Sequence, residues 1–158
     1  MNHRILFLLM VVVSGCNRPQ EDVRSIVREE LSKASGRQII SPTETIGPYS
    51  PAVRIGNFLF LSGQIGLDQR TGELRSADIE TETRQVLDNM NIILHAAGYD
   101  SSNVVSATVY LKNMDNYGKM NRVYGGYFAE GNYPARTTIA VAELPKQANV
   151  EISVIAYK

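Results

Sequence analysis

The stretch Tyr133–Tyr157, YPARTTIAVAELPKQANVEISVIAY, constrains the fold most. Two β-branched runs, Thr137–Ala142 and Val150–Tyr157, flank the turn-like Leu144-Pro145-Lys146-Gln147-Ala148-Asn149. Apolar residues at every second position (Val150, Ile152, Val154, Ala156) predict a strand with one buried face. The pair reads as a C-terminal hairpin. Arg136 opens the first strand, and Glu151 lies inside the second on the face opposite Val150 and Ile152. A carboxylate inside an apolar strand is costly unless solvated or paired. An arginine and a glutamate held on neighbouring rigid strands can bind an anion and move a proton, or form a salt bridge at the rim.

The 158 residues suit one domain with a full core, and the 44% apolar fraction is that of a globular protein. Sixteen basic and sixteen acidic residues cancel, which argues against a broad nucleic-acid-binding surface, because such a surface needs a basic excess. The N-terminus stands apart. Met1–Arg4 is basic, Ile5–Val13 is an apolar run too short to span a bilayer, and Val13-Ser14-Gly15-Cys16 follows. This is the pattern of a secretory signal peptide. VSGC resembles the lipobox of bacterial lipoproteins, which implies cleavage before Cys16 and lipidation of that residue. Asn17 stands where an aspartate would signal inner-membrane retention, so the expectation is a lipid anchor on the periplasmic side of a membrane, the outer one favoured. Cys16 is the only cysteine, so an intrachain disulfide is impossible. The expected organisation is a signal peptide at 1–15, a tether at 16–37 with a possible amphipathic helix over Glu21–Ala34, and a domain at 38–158.

Within the domain, Gln38–Ile46 has β character broken by Pro42, and Gly47-Pro48-Tyr49-Ser50-Pro51 is a loop. Ala52–Ile55 and Phe58–Leu61 flank Gly56-Asn57, a hairpin signal, with Ser62-Gly63-Gln64 after it. A further turn centres on Thr71-Gly72. Asp78–Ala97 is the clearest helix. Its stripe is Ile79, Thr83, Val86, Leu87, Met90, Ile93, Leu94 and Ala97, with Glu82, Arg84, Gln85, Asp88 and Asn91 turned away. Asp78 is the expected N-cap and Gly98 the stop. Asn103–Leu111 reads as a strand that buries Val105, Ala107, Val109 and Leu111. Asp115–Glu130 reads as a second helix, weakened by Gly125-Gly126, with Met114, Tyr117, Val123, Tyr124 and Phe128 towards its buried side.

The fold class is therefore α+β, with two helices on one face of a mixed sheet. The opposite face would carry Ser106, Thr108, Tyr110, Thr138, Ala140 and Ile155. That set is too mixed for full solvation, so a second copy of the chain is the expected cover.

Ile46-Gly47-Pro48-Tyr49-Ser50, Leu61-Ser62-Gly63-Gln64, Tyr133-Pro134-Ala135-Arg136, Leu144-Pro145-Lys146 and Val150-Glu151-Ile152, in this order, resemble the Rid family (YjgF/YER057c/UK114), the reactive enamine/imine deaminases. The resemblance implies a homotrimer of chorismate-mutase-like subunits with three clefts between them. It implies cofactor-free hydrolysis of 2-enamino and 2-imino acids to 2-keto acids and ammonia, without a metal. It assigns Arg136 to the substrate carboxylate and Glu151 to the water, with Tyr49, Ser62, Gly63 and Asn121 lining the cleft. Thr138 stands where active members commonly carry a cysteine. The family contact there is through the backbone carbonyl, so threonine removes thiol chemistry without abolishing the contact. His95 beside the helix stripe reads as a packed or rim residue, and His3 leaves with the signal.

The residue chemistry agrees. A guanidinium binds a carboxylate through two parallel hydrogen bonds and fixes its orientation. A half-buried carboxylate with a raised pKa can take a proton from water and return it to the leaving amine. Two alternatives use the same chain differently: an envelope-anchored module that binds small carboxylates without turnover, or a trimeric interaction protein.

Overall fold

The computed structural model describes residues 36–158. The expected signal peptide, Cys16 and the Glu21–Ala34 helix lie outside the described residues. One six-stranded sheet is formed by β1 (Arg37–Ile40), β2 (Ala52–Ile55), β3 (Phe58–Ile65), β4 (Val104–Leu111), β5 (Ala135–Ala140) and β6 (Val150–Tyr157). The order is β1-β2-β3-β6-β4-β5. Every pairing is antiparallel except β4 with β5. Helix α1 (Ile79–Ala96) and the shorter α2 (Tyr117–Gly125) complete the fold.

The β2–β3 hairpin turns at Gly56-Asn57 as the sequence indicates, with Ile55 opposite Phe58 and Gly56 at φ +56°. The turn at Thr71-Gly72 also forms, with Gly72 at φ +73°. Helix α1 starts where its cap dictates: the Asp78 carboxylate accepts from the Thr81 amide at 2.7 Å. Gly98, at φ +80°, closes its C-terminal end.

The core lies between the two helices and one sheet face. Leu59, Leu61, Val109, Leu111, Val150, Ile152 and Val154 meet Val86, Met90, Ile93 and Leu94 of α1 and Met120 and Tyr124 of α2. Among the described residues nothing covers the other sheet face. There Ile39, Ile55, Phe58, Phe60, Ile139 and Tyr157 are each more than two-fifths exposed, a large apolar surface for a soluble domain.

Five expectations are corrected. The C-terminal runs are not a hairpin, because β4 lies between β5 and β6 and pairs with both. Parallel β4–β5 pairing puts Thr138 beside Val109 and Ala140 beside Leu111, on the helix side, so Thr137 and Ile139 take the open face. A bulge between Val104 and Ser106 buries Val104 and turns Val105 outward. The second helix is a 3-10 turn (Met114–Asn116) followed by α2, which ends at Gly125; Met114 and Tyr117 are exposed. Finally, Glu82 is fully buried instead of facing solvent.

Candidate active site

The residues singled out from the sequence fall into two groups on different parts of the sheet. The first surrounds Glu151. Between Leu61 and Gln64, β3 carries one residue more than β6, a bulge at Ser62-Gly63. The Gln64 amide donates to the carbonyls of Ser62 (3.1 Å) and Gly63 (3.3 Å) and holds the bulge in shape. The Ser62 hydroxyl donates to the Ser50 carbonyl at 2.7 Å, and its amide donates to the Pro51 carbonyl at 3.0 Å. These two bonds fasten the loop that carries Tyr49. A concavity of about 250 Å³ results, lined by Ile46, Tyr49, Ser62, Gly63, Ile65, Pro145 and Glu151.

Glu151 reaches this concavity because position 63 has no side chain. A Cβ on Gly63 would overlap the Glu151 Oε1 and lie 2.7 Å from its Cδ. Among the described residues, no hydrogen bond or ion pair engages the Glu151 carboxylate, which is half-buried. Burial pushes its pKa above the ordinary 4.5.

The frame behind this group comes from two polar residues buried on α1. Glu82 accepts from the Asn149 amide (2.7 Å), the Asn149 side chain (2.8 Å) and the Val150 amide (3.4 Å). It thereby fixes the first residue of β6, directly before Glu151. Gly66 makes room for it, since a Cβ there would meet Glu82 Cγ at 2.5 Å. Two helical turns on, Asn89 donates to the carbonyls of Ile65 (3.1 Å) and Leu67 (2.8 Å) at the end of β3. Sequence reasoning missed both residues. The spacing signal existed, because positions 82 and 89 share the stripe of Ile79, Val86 and Ile93.

The second group surrounds Arg136. In β5 it pairs with the buried Ala107 and so points to the helix side. Its guanidinium lies 4.5 Å from the ring centre of Tyr124 and 5.8 Å from that of Tyr117. Nη2 donates to the Tyr117 hydroxyl at 3.2 Å. Among the described residues no carboxylate pairs with Arg136. Asn121, four residues after Tyr117 and three before Tyr124, shares their side of α2. The hydroxyls of Tyr124 and Thr138 are buried without a hydrogen-bond partner among the described residues. Burial pushes the Tyr124 phenol up to about 12.

Arg136 and Glu151 do not meet within a subunit. Arg136 aligns with Ala107, whereas Glu151 aligns with Tyr110 on the opposite sheet face, with β4 between them. Two strand spacings across and three residues along give about 14 Å between their Cα atoms. They are therefore not on neighbouring strands, contrary to the sequence expectation. Thr138 and Asn121 lie with Arg136; Tyr49, Ser62 and Gly63 lie with Glu151. His95 is exposed in the last turn of α1. Among the described residues no three His, Cys, Asp or Glu side chains assemble into a metal-binding group.

Residues 39–158 match the family model described as Endoribonuclease L-PSP. The crystal structure of YyfA from Yersinia pestis, a protein of the conserved Rid family, superposes with a TM-score of 0.73 at 40% identity, covering 77% of this chain and 99% of that one. This chain belongs to the Rid family. Its sheet and two helices are the chorismate-mutase-like fold of Rid proteins. A RutC family protein of Pyrococcus horikoshii is 53% identical over 113 residues, 72% of this chain and 89% of that protein. The mouse 2-iminobutanoate/2-iminopropanoate deaminase is 44% identical over 123 residues, 76% of this chain and 90% of the enzyme. The Rid match spans every site residue from Tyr49 to Glu151.

Proposed function

We propose that this protein hydrolyses 2-enamino and 2-imino acids to 2-keto acids and ammonia, with no cofactor. Mammalian relatives that bear the name of that activity support the reading. The observation that carries it is the Glu151 carboxylate, unpaired and seated over Gly63 with its pKa raised.

Arg136 binds the substrate carboxylate through paired N–H···O bonds and so fixes the position of the imine carbon. An enamino acid first gains a proton on carbon and loses one from nitrogen, giving the imine. Glu151 takes a proton from a water molecule, whose oxygen bonds to the imine carbon while the C=N electron pair goes to nitrogen. The protonated Glu151 returns its proton to nitrogen, giving the neutral carbinolamine. Glu151 then takes the carbinolamine hydroxyl proton and delivers it to nitrogen as the C–N bond breaks; the C–N electron pair leaves with ammonia, and the oxygen forms the C=O bond of the keto acid. Such imines already react with water, so orientation and one proton shuttle are sufficient help.

Because the two residues face opposite ways in one subunit, the site is composite. Arg136 of one copy meets Glu151 of another in a homotrimer, which also covers the open apolar face. Light scattering should give three times the subunit mass. The balanced charge of the chain gives no net attraction for a polyanion, so nuclease chemistry is not part of this proposal.

The lipobox-like Val13-Ser14-Gly15-Cys16 supports a lipid anchor on Cys16 that holds the protein on the periplasmic side of a bacterial membrane as part of this proposal. Mass spectrometry of the mature protein should show cleavage before Cys16 and diacylglycerol on it, and Cys16→Ala should release the protein from the membrane fraction.

The activity test is direct. The trimer, added to an amino-acid oxidase and its amino acid, should accelerate loss of the imine, and Arg136→Ala should abolish the effect. No acceleration across small and aromatic amino acids would refute the enzyme reading. Arg136-dependent keto-acid binding that survives Glu151→Gln, with no turnover, would leave a binding module.

A further inference from the structure

The Arg136 guanidinium is not free to choose its orientation. Its Cζ lies 4.5 Å from the centroid of the Tyr124 ring, and its Nη2 is tied to the Tyr117 hydroxyl at 3.2 Å. Tyr117 in turn is firmly placed. It is the first residue of α2, and the 3-10 turn before it is capped by Asn113, whose side chain accepts from the Asp115 amide at 2.9 Å. The Tyr117 hydroxyl makes its one side-chain hydrogen bond among the described residues to Arg136. Without that bond only the aromatic faces of Tyr124 and Tyr117 would hold the arginine, and an aromatic face, unlike a hydrogen bond, does not fix the direction of the N–H groups.

We infer that Tyr117 is a positioning residue for substrate recognition: its hydroxyl sets the in-plane angle at which Arg136 presents two N–H groups to the substrate carboxylate. This rests on the deaminase reading, because it takes Arg136 as the carboxylate clamp. Bidentate recognition is directional, so a guanidinium fixed at the right angle loses less conformational freedom when the carboxylate arrives. The hydroxyl bonds to Arg136 and to no other side chain among the described residues, so it acts through the guanidinium. It therefore governs binding and leaves the proton transfer at Glu151 untouched.

The test compares the wild-type trimer with Tyr117→Phe, and with Tyr117→Met as a second variant that removes the ring as well. Tyr117 is exposed, which favours retention of the fold in both. Oxidase-coupled hydrolysis gives kcat and KM, and calorimetry gives the affinity for 2-oxobutanoate and for its uncharged methyl ester. For Tyr117→Phe we expect KM to rise roughly three- to tenfold, the scale of one ordinary intramolecular hydrogen bond. The 2-oxobutanoate affinity should weaken in proportion, with kcat within about twofold and ester binding unchanged. Tyr117→Met should show the same split, more strongly. Equal KM and keto-acid affinity in wild type and Tyr117→Phe would overturn the inference while the deaminase reading stands. A fall in kcat with ester binding weakened equally would mark a merely structural role and also overturn it. A wild type that neither turns over nor binds 2-oxobutanoate would remove both readings together.

Discussion

Gly63 and Glu151 face each other across the β3–β6 pair with no room for a methyl group between them. The glycine is required there by the approach of a carboxylate and not by its backbone, since its φ is not positive. A Cβ at this position would strike the far end of a flexible side chain, which can swing aside. Gly63→Ala should therefore cost about 1 kcal/mol or less in stability. It should nevertheless reduce kcat by about two orders of magnitude, because the displaced carboxylate no longer faces the water. Thermal melting and oxidase-coupled kinetics on one preparation measure both.

The raised pKa of Glu151 has two consequences of known sign. Burial disfavours the charged form, so as a general base the residue is lost as pH falls through a value above 4.5. The acid limb of kcat/KM should lie above that value, and Glu151→Gln should lower kcat by about 10²- to 10³-fold. For stability, a carboxyl whose pKa is higher folded than unfolded contributes stability at low pH that is lost as pH rises through the folded value. Glu151→Gln should therefore melt higher than wild type at pH 7, and the difference should vanish at acid pH. A variant that melts lower at neutral pH would show that the carboxylate is stabilised in the fold.

Glu82 carries the opposite expectation. Its carboxylate is fully buried and satisfies three N–H donors of Asn149 and Val150. Glu82→Ala leaves those donors without a partner and should cost about 3 kcal/mol. Glu82→Gln keeps an acceptor oxygen, and the Asn149 amide can turn to suit it, so the loss should be about 1 kcal/mol. Urea denaturation distinguishes the two.

Tyr124 joins a useful ring to an unsatisfied hydroxyl. The ring supports Arg136, while the hydroxyl is buried without a partner among the described residues. Tyr124→Phe keeps the support and removes the orphan. It should be neutral or stabilising by up to about 1 kcal/mol, with KM little changed. A clear loss of stability would indicate that the hydroxyl has a partner in the assembled protein.

Most of the fold was legible because its signals are local. The Gly56-Asn57 turn, the Asp78 cap and the period-two run of β6 depend on a few adjacent residues, and each formed where expected. What misled was non-local. Nothing in Thr137–Ala142 or Val150–Tyr157 reveals that β4 inserts between them, and that insertion moved Thr138 to the helix side. The Val105 bulge shifts one residue and reverses the face of the next, which alternation alone cannot register. Glu82 was misplaced because its charge outweighed its position in the stripe; the main-chain donors that make its burial tolerable come from residues 149 and 150, far along the chain. Motif order brought Tyr49, Ser62, Gly63 and Glu151 to one concavity, but left unseen the Tyr117–Arg136 contact, which only packing creates.

The central claim is that Arg136 and Glu151, on opposite faces of one sheet, act together only across a subunit boundary. Co-refolding Arg136→Ala with Glu151→Gln in equal amounts tests it, with mixed oligomers verified by native mass spectrometry. Each variant alone should be inactive. The mixture should recover about a quarter of wild-type activity, since random assembly pairs one intact arginine with one intact glutamate in about one site of four. Mixed oligomers with no more activity than the two variants separately would contradict the account.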